Sequence, residues 1–270
     1  HDSGQIHASI TASGPYEDPD IEFELATRGL LVDGYETGPA SASGTVRGRV
    51  AAVAASGLRF ASGKMDISGS VDLRRVFPDG YFEGMKEEDL VGYDLAVTAT
   101  SLSLEKVPGM PGGIGGLLHV KARVKGTGVT KSARALEVSF EAQGSGVSAA
   151  PVMNREQMRA SGRILLGRDS LAVQGLRLTG DTLSAEMSGT ADLKDETLDA
   201  AVLMHVAHPE RILARTGVRV SGSIDVSAKI TGALRNPLAD ISAVAERAAI
   251  EGAAPGNVTM DATLEPSGRL

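Results

Sequence analysis

The sequence predicts an all-β protein: an antiparallel sheet assembled from repeating strand units, with one or two short helices. Three observations carry this reading. The first is alternation, clearest in Ile224-Asp-Val226-Ser-Ala228-Lys-Ile230-Thr231, where apolar and polar residues exchange places at every step. That period of two belongs to a strand with one dry and one wet face. The second is internal repetition. Laying Ile6 on Ile224 also lays Ser9 on Ser227, Gly14 on Gly232, Pro19 on Pro237, Gly34 on Gly252 and Gly38 on Gly256. A further echo sets Leu58-Arg-Phe60 and Ser68-Gly-Ser-Val-Asp-Leu73 beside Leu176-Arg-Leu178 and Ser188-Gly-Thr-Ala-Asp-Leu193. Repeats 6–39 and 224–257, and 58–73 and 176–193, make residues 1–270 one β-repeat region. The third is the scarcity of helix signals.

Taken in order, the strands declare themselves by their alternating faces. Ile6, Ala8, Ile10 and Ala12 oppose His7, Ser9 and Thr11; Ile21, Phe23 and Leu25 oppose Glu22 and Glu24. Met65, Ile67, Gly69, Val71 and Leu73 follow, then Tyr93, Leu95, Val97 and Ala99 with Leu102 and Leu104 after them. Leu118, Val120, Ala122 and Val124 stand against His119, Lys121, Arg123 and Lys125. Leu136, Val138, Phe140 and Ala142 obey the same rule, as does the run from Leu183 through Met187 to Leu193. Val258, Met260, Ala262 and Leu264 end the series. One-sided wetting requires antiparallel sheet, because parallel strands buried between helices read as continuous apolar runs.

Between the strands, Gly232 to Pro237 predicts a break and Gly252 with Pro255-Gly256 a second reversal. Pro108 to Gly116 reads as a loop and a flexible break in mid-chain. The best helix runs from Pro209 to Arg215, with proline at its first position and Gly217 beyond its end. Residues 83–90, beside the aromatic cluster Phe77, Tyr81 and Phe82, predict a turn of helix, and residues 152–159 a weaker one.

Composition narrows the function. The chain is 42% hydrophobic but only 3% aromatic, without tryptophan, so the apolar faces are lined by small and medium aliphatic side chains. A net charge of −7 with interspersed signs and no basic run argues against a nucleic-acid partner. No stretch reaches the roughly 18 consecutive apolar residues of a membrane helix; Val50 to Ala55 is the nearest. With no cysteine, disulfide and thiol chemistry are excluded. The start at His1 and the stop after a strand pattern lead us to expect an interior piece of a longer protein.

Catalytic and metal-binding constellations are not evident. Pro108 to Gly116 lacks the Gly-Lys-Ser/Thr ending of a phosphate loop. His205 and His208 are spaced as a zinc pair, with Glu210 nearby, but no convincing third and fourth ligands accompany them. His119 stands alone on a wet face. Asp192, Asp195, Glu196 and Asp199 surround a hairpin turn without the spacing of a helix-flanked calcium loop. The reading is therefore of a protein with no catalytic residues, no metal and no cofactor.

Alternating strand, Gly-x-x-x-x-Pro at Gly14/Pro19 and Gly232/Pro237, short strands and Gly-x-x-x-Gly together resemble the repeating units of the TamB family, the inner-membrane component of the translocation and assembly module, and of the wider AsmA-like group. The segment from Leu176 through Leu193, then Leu198 to Val202 and the helix to Gly217, resembles the unit preceding such a repeat; Leu118 to Ala142 departs from it by lacking the proline. The resemblance implies an elongated, lengthwise-curled sheet, a β-taco-like trough with an apolar lining. It also implies a periplasmic location, with the full-length protein anchored in the inner membrane, and a role in phospholipid movement and outer-membrane protein assembly. An outer-membrane barrel partner of the Omp85 type would be met through parts outside these residues.

Physical reasoning independently leads to an apolar face in need of cover. About twenty strands stacked about 4.8 Å apart would extend on the order of 100 Å, and the apolar side must curl on itself, meet a second sheet or enclose a ligand. Aliphatic walls with no fixed polar partners suit acyl chains, which the resemblance implies are those of phospholipid. Alternation assigns Ile6, Ile10, Ile67, Val71, Leu95, Val97, Val120, Val124, Val138, Leu183, Met187, Val202, Val226, Ile230, Val258 and Met260 to that lining. The competing expectation is a structural β-repeat, an adhesin stalk or sandwich, with a closed dry core. Unpaired strands near Ile6 and Leu264 predict end-to-end self-association.

Overall fold

Antiparallel pairing in chain order organises the molecule. The structure, a computed structural model, describes residues 5–28, 31–32, 35–36, 39–81, 90–128, 135–149, 153–213, 220–250 and 253–264. The strands are β1 (Gln5–Ser13), β2 (Asp20–Arg28), β3 (Leu31–Val32), β4 (Tyr35–Glu36), β5 (Ala40–Arg47), β6 (Val50–Phe60), β7 (Gly63–Asp72), β8 (Gly92–Ser103), β9 (Ile114–Thr127) and β10 (Ala135–Ala149). There follow β11 (Met153–Leu166), β12 (Ser170–Gly180), β13 (Leu183–Asp192), β14 (Thr197–Val206), the helix α1 (Pro209–Leu213), β15 (Val220–Ala233), β16 (Asn236–Ile250) and β17 (Ala253–Leu264). All but β3 and β4 belong to one 15-stranded sheet, ordered β1-β2-β5-β6 and onward to β17; β3 and β4 pair only with each other.

The chain forms two compact units, residues 1–108 with 118–139 and residues 109–117 with 140–270, so β9 and β10 contribute to both. In the first unit, unshifted pairing carries the face through Ile10↔Phe23, Phe23↔Gly44 and Gly44↔Val53. Gly44 is glycine for a packing reason: the Phe23 ring occupies its place, and an added Cβ would lie 2.5 Å from the ring's Cζ. The end of this unit is closed by the connection after β7. Val76 is fully buried there, Phe77 and Tyr81 pack with ring centroids 5.1 Å apart, and the Arg49 guanidinium donates to the Phe77 and Pro78 carbonyls at 2.6 and 2.5 Å. Phe82 and residues 83–89 lie outside the described residues.

Two pairs of glycines in or beside the echoed segments share a positive φ, while Gly34, Gly38 and Gly252 lie outside the described residues. Gly14 and Gly232, equivalent in the first repeat, have φ of 90° and 100° at the ends of β1 and β15. In the second, Gly57 and Gly175 immediately precede Leu58 and Leu176, with φ of 75° and 57°. Each sits where the hairpin register shifts, between Ala55 and Leu58 and between Val173 and Leu176. A positive φ in a bulge is the conformation for which a side chain is penalised, so both strands bend at a glycine just ahead of these segments.

Several expected boundaries are corrected. Residues 153–159 are strand, not helix: Glu156 and Met158 are buried while Arg155, Gln157 and Arg159 are exposed, a period of two. The break at 232–237 narrows to a turn at Leu234 and Arg235, with Gly232 and Pro237 paired across β15 and β16. Proline is tolerated there because it stands at the start of a strand. The second reversal falls between Ile250 and Ala253, which pair with each other, and Gly252 lies outside the described residues; Pro255 and Gly256 lie inside β17, beside register shifts between Ala245 and Ala248 and between Ala248 and Ile250. Leu104 leaves the strand for a 3-10 turn, Leu104–Lys106, and residues 114–116 of the expected loop belong to β9. The helix from Pro209 is described to Leu213; Arg215 and Gly217 lie outside the described residues.

Candidate functional site

The ladders decide which apolar side chains become neighbours, because directly paired residues of antiparallel strands point to the same face. In the first unit Ile67 and Val97 pair, Leu95 pairs with Gly69, and Val71 lies between Ala51 and Tyr93. Ile6 and Ile10 lie on the outermost strand, paired with Thr27 and Phe23. In the second unit one row runs Leu176, Met187, Val202, Ala228, Ile241 and Ala262. The next runs Leu178, Ala185, Met204, Val226, Ala243 and Met260. Leu183 pairs with Val206, Ile230 with Ala200 and Val258 with Ala245. Val120 and Val124 in β9 and Val138 in β10 are half-buried.

These rows have a wall's composition but not a core's burial. Met187, Val202, Val226 and Ile241 are only half-buried, and Met260 is 59% exposed. Among the described residues the largest fully buried side chains are Val76, Thr182 and Pro209, none of them in the middle of a strand. Within the paired strands, Ile6, Ile10, Ile67, Val71, Leu95 and Val97 share one side of the first unit, and Leu183, Met187, Val202, Val226, Ile230, Val258 and Met260 one side of the second.

The opposite face is polar and paired. Arg123 binds Asp94 through two bonds of 2.7 Å, Arg177 reaches Glu186 at 3.2 Å, and Arg47 reaches Glu22 at 3.3 Å. Hydrogen bonding from Arg123 lowers the Asp94 carboxyl below the ordinary range. Asp72 is held down to about 2, chiefly by bonds from the Arg74 guanidinium and backbone N–H, at 2.6 to 3.0 Å. Its folded value lies below its unfolded one, so the stabilisation is complete above the ordinary aspartate range and disappears as pH falls through about 2. Because the pair faces water, Asp72→Asn is expected to cost under about 1 kcal/mol at neutral pH. The difference from the parent protein should vanish in acid, which denaturant melts at a series of pH values would show.

A shallow hollow of about 460 Å³ lies on this polar face of the second unit, with Arg177, Ser184, Glu186, Leu203, His205 and Asp225 on its walls. Ser184 pairs with His205, and His205 with Asp225, so three strands contribute one row; the His205 Nδ1 lies 2.7 Å from the Asp225 carboxylate. The residue types match a hydrolase triad, but the arrangement does not. Among the described residues no hydrogen bond joins Ser184 to His205. Strand pairing in this region also commits the backbone N–H groups that an oxyanion site would require.

The remaining polar candidates occupy structural roles. His208 Nδ1 is 3.0 Å from Glu210, and the exposed His119 accepts from the Ser101 N–H at 3.4 Å. The Asp192 carboxylate accepts the N–H groups of Lys194 and Asp195, fixing the turn into β14, while Glu196 pairs with Arg235. Among the described residues no three histidine or carboxylate side chains converge as metal ligands.

One polar site escaped the sequence reading. Glu156, on the inward side of β11 and 7% exposed, accepts hydrogen bonds from the Thr182 hydroxyl and, at 3.0 Å, from the Thr182 N–H. Thr182 is fully buried; its carbonyl accepts the Ala207 N–H at 2.9 Å, and the Arg211 guanidinium lies 3.5 Å from its hydroxyl. This latch ties β11, the β12–β13 turn, the segment after β14 and α1 together. Its only signal in the sequence was a glutamate at the parity of Met158 and Ala160.

Compared with known proteins, the chain matches no family model, no curated protein and no solved structure.

Proposed function

We propose that these residues form a non-enzymatic lipid conduit, whose apolar face receives phospholipid acyl chains, in a periplasmic protein of the TamB and AsmA-like kind. The observation that carries the reading is the half-buried state of the apolar rows, exemplified by Met187, Val202, Val226 and Ile241. Leucine, isoleucine, valine and methionine side chains at that density offer contact area without directional bonding, which is what a hydrocarbon chain requires. At about 0.8 kcal/mol per buried methylene, some ten methylenes laid on the face would contribute roughly 8 kcal/mol before the cost of ordering the chain. The opposite face, with its ion pairs and serines, remains in water. Support for outer-membrane protein assembly, through a barrel partner of the Omp85 type bound elsewhere in the full-length protein, follows from the resemblance of the repeats.

Native mass spectrometry of the purified chain is the direct test. Adducts of phospholipid mass are expected, and a delipidated sample should regain them from phosphatidylethanolamine vesicles. A chain that carries no lipid and takes up none would overturn the proposal in favour of a structural β-repeat.

A further inference from the structure

The strands of the second unit end at two rims that differ in cover. At one, β11 and β12, β13 and β14, and β15 and β16 are joined by the short turns 167–169, 193–196 and 234–235. In the last apolar row before those turns, Leu171 and Leu198 are half-buried, Gly232 and Pro237 are exposed, and only the small Ala191 is buried. At the other rim the chain leaves β14 and passes through α1 before β15 begins. There Val206, in the row of Leu183 and Ile224, is 5% exposed, and Thr182 and Pro209 are fully buried. The Arg211 guanidinium of α1 lies 3.5 Å from the Thr182 hydroxyl, which itself donates to Glu156 on the apolar side of β11. α1 therefore reaches the apolar side and covers it at this rim.

We infer that a bound phospholipid lies along the strands of this unit, its acyl ends against α1 and its headgroup at the rim of hairpin turns; the inference rests on the lipid reading above. Charge decides the direction. At the α1 rim a phosphate would leave water and stand beside the Glu156 carboxylate, and burying a charge without a partner is strongly unfavourable. At the turn rim Arg168, Asp169, Lys194 and Asp195 are all exposed. The phosphate and the ammonium of a zwitterionic head each keep water there and each meet an opposite charge. The face is also long enough. From Leu198 to Val206 the strand extends about 27 Å at ~3.4 Å per residue. An acyl chain occupies about 15 Å, half of the ~30 Å hydrocarbon core of a bilayer, so it fits between the turns and α1.

Photo-crosslinking reads the orientation directly. The whole chain is loaded from vesicles of phosphatidylethanolamine carrying a diazirine either at the acyl terminus or beside the acyl carbonyl. After irradiation, the labelled peptides are located by mass spectrometry. The terminal probe should label the segment from Val206 to Leu213 and the neighbourhood of Leu183. The carbonyl-proximal probe should label Leu171, Leu198 and the turn 193–196. Moving the probe along the acyl chain should thus shift the label from one end of β14 to the other. The reverse pattern, or the same peptides from both probes, would overturn the orientation while leaving lipid binding intact. No label from either probe, with no lipid adduct on the chain, would remove the lipid reading and this inference with it.

Discussion

Replacing Met187 with arginine is expected to leave the second unit folded and to abolish lipid binding. Met187 stands in the row between Leu176 and Val202, on the apolar side and only half-buried. An unpaired charge enclosed in a dry core costs several kcal/mol. On an open wall the guanidinium can extend toward water along its own methylene stem, and the stability loss should stay near 1 kcal/mol. Acyl chains would then meet a charge where they need hydrocarbon. Ser188→Arg, one position on, points to the polar side and should change neither property. Melting temperature and phospholipid adducts, measured for both variants, separate the cases. Unfolding of Met187→Arg, with no lipid on the parent protein either, would identify the wall as the interior of a closed sandwich.

A second large effect is expected at Glu156, for reasons independent of lipid. Removing its carboxylate with Glu156→Ala leaves the Thr182 N–H and hydroxyl without their acceptor in a site from which water is excluded. Buried donors left unpaired cost about 1 to 3 kcal/mol, and the loss should appear as a lowered denaturation midpoint. Glu156→Gln retains an acceptor oxygen and should lose about half as much or less. Thr182→Val removes the hydroxyl, so the double variant Glu156→Ala/Thr182→Val should lose less than the sum of the two single changes. Strict additivity would mean that the two side chains do not act as a latch.

The two effects differ in how visible their causes are before folding. Met187 could be assigned to the apolar side from alternation alone, because Leu183, Ala185, Met187 and Gly189 share one parity and the polar residues the other. Glu156 could not. A carboxylate on the inward parity of β11 interrupts the pattern that marks a strand, and with Val152, Met153 and Met158 around it the segment resembled a weak helix. Its partner Thr182 lies beyond another full strand, and only the β12–β13 turn brings it within reach.

The same division holds for the hollow on the polar face. Ser184, His205 and Asp225 come from three strands, and nothing in their spacing announces that they form a row. Register makes them neighbours, and register depends on turn length and bulges; a shift of one residue would have sent His205 to the other face. The bulges at Gly57 and Gly175 lie just ahead of the echoed segments, yet that those glycines bend their strands became clear only from their positive φ.

The sequence by itself determined the class of structure, because a period of two is a local property that each strand carries without reference to its neighbours. It also set the alternation of apolar and polar side chains within each strand, and the ring-poor chemistry of the apolar parity, since composition survives any choice of pairing. Only the tertiary structure decided which of those side chains meet, where Glu156 finds its partners, and that the rows stay half-buried. Those features depend on long-range pairing and on what covers each face, and neither is encoded within a single strand.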